Sequence, residues 1–189
     1  KKAENKYSQL RELLLKLKSE NNLKYTLIFC DDKNQLNRVA NILRELRIFD
    51  YSQIVENISD DNRQKIIKNF KDGVTKIVLS ITIFNEGVDI KKAKNAIVLA
   101  STTNPREFIQ RRGRVLRKEK GVVKIANIYD FFVYSSIDDA RKSTLEKSII
   151  IKELDRTGYF AKESDNFHDL LENKTLLELV KISGYKGLF

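Results

Sequence analysis

Apolar residues follow two alternating patterns along the first two thirds of the chain. Short, nearly continuous apolar runs rich in β-branched residues predict buried strands. Between them, leucine, isoleucine and valine recur every three or four residues, which predicts amphipathic helices. The predicted strands are 25–30, 53–57, 76–81, 95–100 and 122–131, and the predicted helices are 7–18, 33–46 and 60–70. Buried strands that alternate with helices indicate an α/β fold with a parallel sheet sandwiched by helices.

The pattern changes after about residue 135, where strand signals end. Ser136 is placed to cap a long helix that reaches Leu154, and Asp165 is placed to cap another that reaches Val180. We therefore expect two parts: an α/β domain over residues 1–134, and a helical extension over residues 135–189 that packs on it.

One segment between the last two predicted strands carries most of the candidate chemistry. Asn104 and Pro105 suit the cap and the first position of a helix. At helical spacing, Gln110, Arg114 and Arg117 fall on one side, opposite an apolar arc. Guanidinium groups match phosphate oxygens bidentately. The alternative is a basic helix face that only contacts water.

The spacing Gln110-x-x-Gly113-Arg114-x-x-Arg117 resembles motif VI of superfamily two helicases and translocases. This resemblance implies a RecA-like domain in which Gln110, Gly113 and Arg114 face ATP bound between two such domains. It also implies that Arg117, helped by Arg114, is the catalytic arginine finger.

The segment 78–90 resembles motif V of the same superfamily, a strand followed by a loop with Glu-Gly-x-Asp. The resemblance implies that Gly87 and Asp89 approach the nucleotide, and that Ser80 and Thr82 approach the nucleic-acid backbone. A glycine lets the backbone come close to a ligand, which agrees with this role. Taken without the resemblance, Asp89 could equally be a helix cap.

Two further stretches match the superfamily more weakly. Residues 26–32 resemble motif IV, after which Lys33 and Asn34 would meet phosphates at the start of a helix. The carboxylates of Asp31 and Asp32 would repel phosphates, so their expected role is to cap that helix. Arg63, in the helix before motif V, is either structural or faces a phosphate.

The charge balance agrees with a polyanionic partner. The chain has 36 basic and 26 acidic side chains, a formal net charge of +10, which favours nucleic acid. A glutamine in the first position of motif VI resembles DNA-repair and restriction helicases more than RNA helicases of the DEAD-box type. We therefore expect DNA rather than RNA as the partner.

The sequence lacks a G-x-x-x-x-G-K-[ST] loop and a DExx-type acid pair, which hold the phosphates and Mg²⁺ in such motors. We expect the chain to be part of a longer polypeptide whose first RecA-like domain supplies them. The cofactor would be ATP with Mg²⁺, the latter held mainly by that first domain. Residues 1–189 alone should be inactive.

The sequence thus predicts the second motor domain of an ATP-dependent helicase or translocase. Two alternatives are a non-enzymatic nucleic-acid-binding α/β module and a docking domain that does not contact nucleic acid. The single cysteine, Cys30, lies in an apolar run and is read as a core residue in a reducing compartment such as the cytoplasm. No apolar run approaches the ~18 residues that would span a membrane.

Overall fold

The computed structural model describes residues 4–55, 57–81, 92–99, 126–162 and 164–187. The chain divides into two compact units, Lys1–Phe131 and Phe132–Phe189. The division falls three residues before the boundary expected from the sequence. That the two parts are separate domains, and that one packs on the other, stays a prediction.

The first unit contains a five-stranded sheet in which every described pair of strands is parallel. Its strands are β1 (Thr26–Phe29), β2 (Tyr51–Ile54), β3 (Ile77–Ser80), β4 (Asn95–Val98) and β5 (Asn127–Asp130). Their order across the sheet is β2-β3-β1-β4-β5. The predicted parallel α/β fold is therefore confirmed.

The edge strand β2 lies two to three residues earlier than the predicted 53–57. Its register is set by pairing with β3, which aligns Tyr51 with Ile77. Most of β2 is only half-buried. Because an edge strand has a neighbour on one side only, its apolar pattern is weak and its ends are poorly defined by sequence.

Helix α1 (Asn5–Ser19) precedes β1, and two further helices connect the first strands: α2 (Lys33–Glu45) and α3 (Asp60–Asp72). Asp32 caps α2 as predicted, and Ser59 caps α3. Asp32 Oδ1 accepts a hydrogen bond from Gln35 N at 2.7 Å, and Ser59 Oγ accepts one from Asn62 N at 3.4 Å. Helix α3 ends at Gly73, whose φ of +77° is a conformation that glycine adopts without strain.

The strands β1, β3 and β4 are buried on both faces. One face packs against apolar side chains of α1 and α2, through Ile28, Cys30, Ile77, Leu79, Ile97 and Leu99. The alternate residues are buried as well: Leu27, Phe29, Val78, Ala96 and Val98. Cys30 is fully buried, as expected for a core residue.

The second unit contains four helices among its described residues. These are α4 (Ile137–Lys142), α5 (Thr144–Ala161), α6 (Phe167–Leu171) and α7 (Lys174–Ser183). Their shared core is formed by Ala140, Ile150, Leu154, Leu176 and Leu179.

Both long helices predicted in this region are wrong, because each is two helices. Ser143 interrupts the first: its Oγ accepts from Glu146 N at 3.3 Å and starts α5 as a new helix. Asn173 interrupts the second, since its Oδ1 accepts from Leu176 N at 3.1 Å and caps α7. Asp165 is not the cap of α6, which follows Asn166.

Candidate functional site

The described strands run in one direction, so their carboxyl ends meet along one edge of the sheet. In parallel sheets this carboxyl edge is the usual place for ligands. Here β1 leads through Cys30 to the first turn of α2, and β3 ends at Ser80. Cys30 N donates to Ser80 O at 2.8 Å, which joins the ends of these two central strands.

Lys33 and Asn34 occupy the first turn of α2, directly beyond the carboxyl end of β1. Both residues are exposed. The free backbone N–H groups of a helix start carry partial positive charge, which the Lys33 ammonium group reinforces. Asp31 is also exposed here, while Asp32 is used as the cap. The turn therefore offers donors suited to phosphate beside one carboxylate that opposes it.

Ser80 is buried at the end of β3, with 1% of its surface exposed. Its carbonyl accepts the Cys30 hydrogen bond, so its backbone is used by the fold. The residue that follows, Ile81, is half-buried. The contact between Ser80 and nucleic acid stays a prediction, and the burial leaves little of this side chain open to a ligand.

Arg63 lies in the first turn of α3, which follows β2. Its side chain is 29% exposed and one guanidinium nitrogen lies 3.6 Å from Asp60 Oδ1. Asp60 is itself 86% exposed, and exposed pairs of this kind contribute little to stability. A phosphate contact of Arg63 stays a prediction.

A basic residue that sequence reasoning missed, Lys6, stands at the same edge. Its Nζ donates to Leu99 O, directly after β4, at 3.3 Å. Burial lowers the pKa of the half-buried Lys6 ammonium group, and the Asp31 carboxylate partly opposes that shift. The contact joins residues 93 positions apart, so no local pattern could have indicated it.

Next to Lys6, the start of α1 is tied to α2 by Arg38. The guanidinium group of Arg38 forms two hydrogen bonds with the Glu4 carboxylate and lies 3.8 Å from the centre of the Tyr7 ring. The hydrogen bond from Arg38 lowers the pKa of Glu4. This pairing holds the first turn of α1 beside α2 at the carboxyl edge.

The remaining predicted site residues lie outside the described residues. They are Thr82, Gly87, Asp89, Gln110, Gly113, Arg114 and Arg117. Within the described parts of the chain, no group of three or more His, Cys, Asp or Glu side chains is arranged to hold a metal ion. No helix in those parts is long and apolar enough to cross a membrane.

Comparison with known families settles what kind of domain this is. Residues 5–119, more than half of the chain, match the helicase conserved C-terminal domain. The chain belongs to that family. As a helicase C-terminal domain, it is the second RecA-like domain of a superfamily two protein, which confirms the predicted membership.

Two relatives illustrate the range of this helicase family. DNA 3′-5′ translocase XPB2 of Sulfurisphaera tokodaii is 31% identical over 117 residues, covering 62% of this chain and 24% of that protein. Probable ATP-dependent RNA helicase MJ0669 of Methanocaldococcus jannaschii is 26% identical over 125 residues, covering 65% of this chain and 34% of that protein. The chain thus spans about a quarter to a third of these relatives.

A solved structure supports the fold of the helicase C-terminal domain. Domain 2 of the DEAD-box helicase Mss116p, solved bound to an RNA duplex, superposes with a TM-score of 0.54 at 12% identity. The superposition covers 94% of this chain and 80% of that one. The predicted RecA-like fold is confirmed. Because one relative is named for DNA and another for RNA, the predicted preference for DNA stays untested.

Proposed function

We propose that this chain is the second motor domain of an ATP-dependent superfamily two helicase or translocase that acts on nucleic acid, preferentially DNA. The observation that carries the proposal is the family match over residues 5–119, which spans both the Glu86–Asp89 and the Gln110–Arg117 motifs. The partner domain would be a first RecA-like domain in the same polypeptide. Opening and closing of the two domains would move the protein along a strand.

Some residues of this chain would contact the nucleotide, and others would contact the nucleic acid. Arg117 and Arg114 would stabilise charge on the phosphoryl group being transferred, while Gln110, Gly113, Gly87 and Asp89 would line the nucleotide. ATP with Mg²⁺ supplies the phosphoryl-transfer chemistry when bound. The donors of Lys33 and Asn34, exposed at the start of α2, support a phosphate contact there, with Ser80, Thr82 and Arg63 as further candidates.

The experiment is Arg117→Ala in the two-domain protein. An arginine finger acts mainly on the transition state, so kcat of the nucleic-acid-stimulated ATPase should fall by about 10³-fold or more while KM for ATP changes little. Arg117→Lys should rescue poorly, because an ammonium group does not reproduce a planar fork. Steady-state phosphate release measures both constants.

A matched control is Arg44→Ala. Arg44 is exposed in the last turn of α2 and bonds the Asn41 side chain one turn away, at the end of α2 far from the carboxyl edge. This variant should keep normal turnover. Normal turnover in Arg117→Ala would exclude the finger assignment.

A further inference from the structure

The amino edge of the sheet, opposite the edge discussed above, contains a cleft of about 290 Å³. It is formed by the loop from α1 to β1, the loop from α2 to β2, and the residue before β3. We propose that this cleft binds single-stranded nucleic acid, with a base stacked on Phe49 and phosphates held by Lys24 and Arg47. Its lining residues are Lys18, Asn21, Leu23, Lys24, Arg47, Ile48, Phe49, Asp50 and Lys76.

The net positive charge of the cleft favours an anionic ligand. Four of its lining residues are basic and one, Asp50, is acidic. Asp50 is already paired with Lys76, with 2.8 Å between Nζ and Oδ2, and Lys18 Nζ donates to Leu46 O at 2.7 Å. Two cations remain.

Lys24 and Arg47 are those two, and both are exposed. Neither forms an ion pair with any other residue that the structure describes. The Lys24 ammonium group lies 5.2 Å from the centre of the Tyr25 ring, an arrangement that leaves its charge open to a further partner. These two side chains therefore supply positive charge that the fold does not neutralise.

Phe49 gives the cleft its second feature, an open aromatic face. Its surface is 68% exposed, although its neighbour Ile48 is 5% exposed and Leu23 8%. A phenylalanine left in water forgoes the stabilisation of burial. Cationic side chains around an exposed aromatic ring are the combination that binds single strands, because every base has a face to stack. Cations alone would serve an acidic peptide equally well, so the ring is what favours a nucleic acid.

At Arg47, an effect of a substitution on binding can be distinguished from an effect on folding. It follows the last turn of α2 in a left-handed conformation, with φ of +53°. Arg47 N bonds Arg44 O at 2.9 Å and Ile48 N bonds Leu43 O at 2.8 Å, which is the hydrogen-bond pattern of a Schellman motif. Glycine is the favoured residue at this position, since a side chain there is strained. Replacing Arg47 by glycine should thus stabilise the fold and weaken binding at once.

The first test is Arg47→Gly in residues 1–189, without ATP. Its melting temperature should rise by about 2–5 °C. Its affinity for a fluorescein-labelled (dT)12 strand should fall, and the slope of log K against log salt should become shallower by about 0.7, as expected for one lost phosphate contact. Fluorescence anisotropy at several salt concentrations measures both quantities, and circular dichroism measures the melting.

The control for charge is Lys65→Ala, on an exposed position of α3. It removes one positive charge away from the cleft and should leave the salt slope unchanged. An equal change in the slope of log K against log salt in both variants would mean that only the net charge determines binding. That result would overturn the proposal that the cleft binds nucleic acid.

The second test uses the absence of tryptophan from the sequence. Phe49→Trp creates a single reporter, whose fluorescence should be quenched on titration with (dT)12 because a base stacks on it. Tyr159→Trp, at a 51% exposed position of α5, is the matched reporter elsewhere and should not respond. Phe49→Ala should weaken binding by about fivefold or more.

Two results of the second test would overturn the proposal. One is unchanged tryptophan fluorescence of the Phe49→Trp variant at (dT)12 concentrations that saturate the anisotropy. The other is a response to oligoglutamate but not to (dT)12, which would assign the cleft to an acidic peptide. Because every readout is made without ATP and without a first motor domain, these results are independent of the proposed motor function.

Discussion

Lys6 is an example of a single side chain that joins distant parts of the carboxyl edge. Its ammonium group donates to the carbonyl of Leu99, the last described residue before the segment that contains Arg114 and Arg117. The nearby charges are Asp31 and Asp32 on the loop before α2, which raise the pKa of Lys6, and Arg38 on α2, which lowers it. A half-buried cation between them is therefore sensitive to pH.

The pH dependence expected from Lys6 has a definite sign. Burial lowers its pKa in the folded state below the ordinary 10.5, so between these two pKa values the unfolded chain binds more protons. The free energy of unfolding should then rise with pH in that window, relative to Lys6→Met, which keeps a similar apolar stem without the charge. Below the window the difference between the two proteins should be constant.

Urea unfolding at half-unit steps from pH 7 to pH 10.5 measures this difference. Lys16→Met, at an exposed position of the same helix, is the control and should run parallel to the parent protein. If the Lys6→Met curve also runs parallel throughout, the burial of Lys6 has no energetic consequence.

At the scale of helices and strands, the sequence pattern located an element well where that element is completely buried. Strands β1, β3 and β4 are buried on both faces, and their apolar runs located them well. It was less decisive for β2, which is half-buried at the sheet edge. In the second unit, periodicity continued across Ser143 and Asn173, whose caps end one helix and begin another.

The candidate site was predictable only where it is local. Asp32, Lys33 and Asn34 could be placed together because they are consecutive and a cap fixes them. The contribution of Lys6 depends on a tertiary contact and could not be found this way. The burial of Ser80 likewise follows from its place between β1 and β2 in the sheet, which hydropathy does not give.

Asn95 shows how a buried polar residue joins several elements. Its Nδ2 donates to Asn22 O at 2.7 Å and to Thr26 Oγ1 at 3.2 Å, and its Oδ1 accepts from Asn127 Nδ2 at 3.0 Å. These bonds tie β4 to β1, to β5 and to the loop after α1. Asn95 and its partner Thr26 are fully buried, whereas Asn22 is half-buried and Asn127 is exposed.

Asn95→Ala should destabilise the first unit by about 2 kcal/mol, because it removes three hydrogen bonds, one of them to the buried Thr26 hydroxyl. Urea unfolding monitored by circular dichroism measures the loss. Asn37→Ala, at an exposed position of α2, is the control and should be neutral or slightly stabilising, since alanine favours helix. A loss below about 0.5 kcal/mol in Asn95→Ala would mean that water replaces these hydrogen bonds easily.

For the whole molecule, two features of the sequence matter together: its positive net charge and its lack of phosphate-binding motifs. The net charge of +10 favours a polyanionic partner. The helicase C-terminal domain, however, lacks the sequence motifs that grip the β- and γ-phosphates and hold Mg²⁺ in such motors. Binding of nucleic acid and turnover of ATP should therefore be separable in this chain.

Residues 1–189 alone should bind single-stranded DNA weakly and hydrolyse no ATP. Since phosphate contacts displace counterions, log K should fall by about 0.7–0.9 per contacted phosphate for each tenfold rise in salt. Adding ATP should not change that affinity, because the sequence lacks the motifs that grip the β- and γ-phosphates. Anisotropy titrations with and without ATP, beside a phosphate-release assay, measure both properties. ATP turnover by this chain would show that it holds a complete site, and the proposal of a second motor domain that depends on the first would then be wrong.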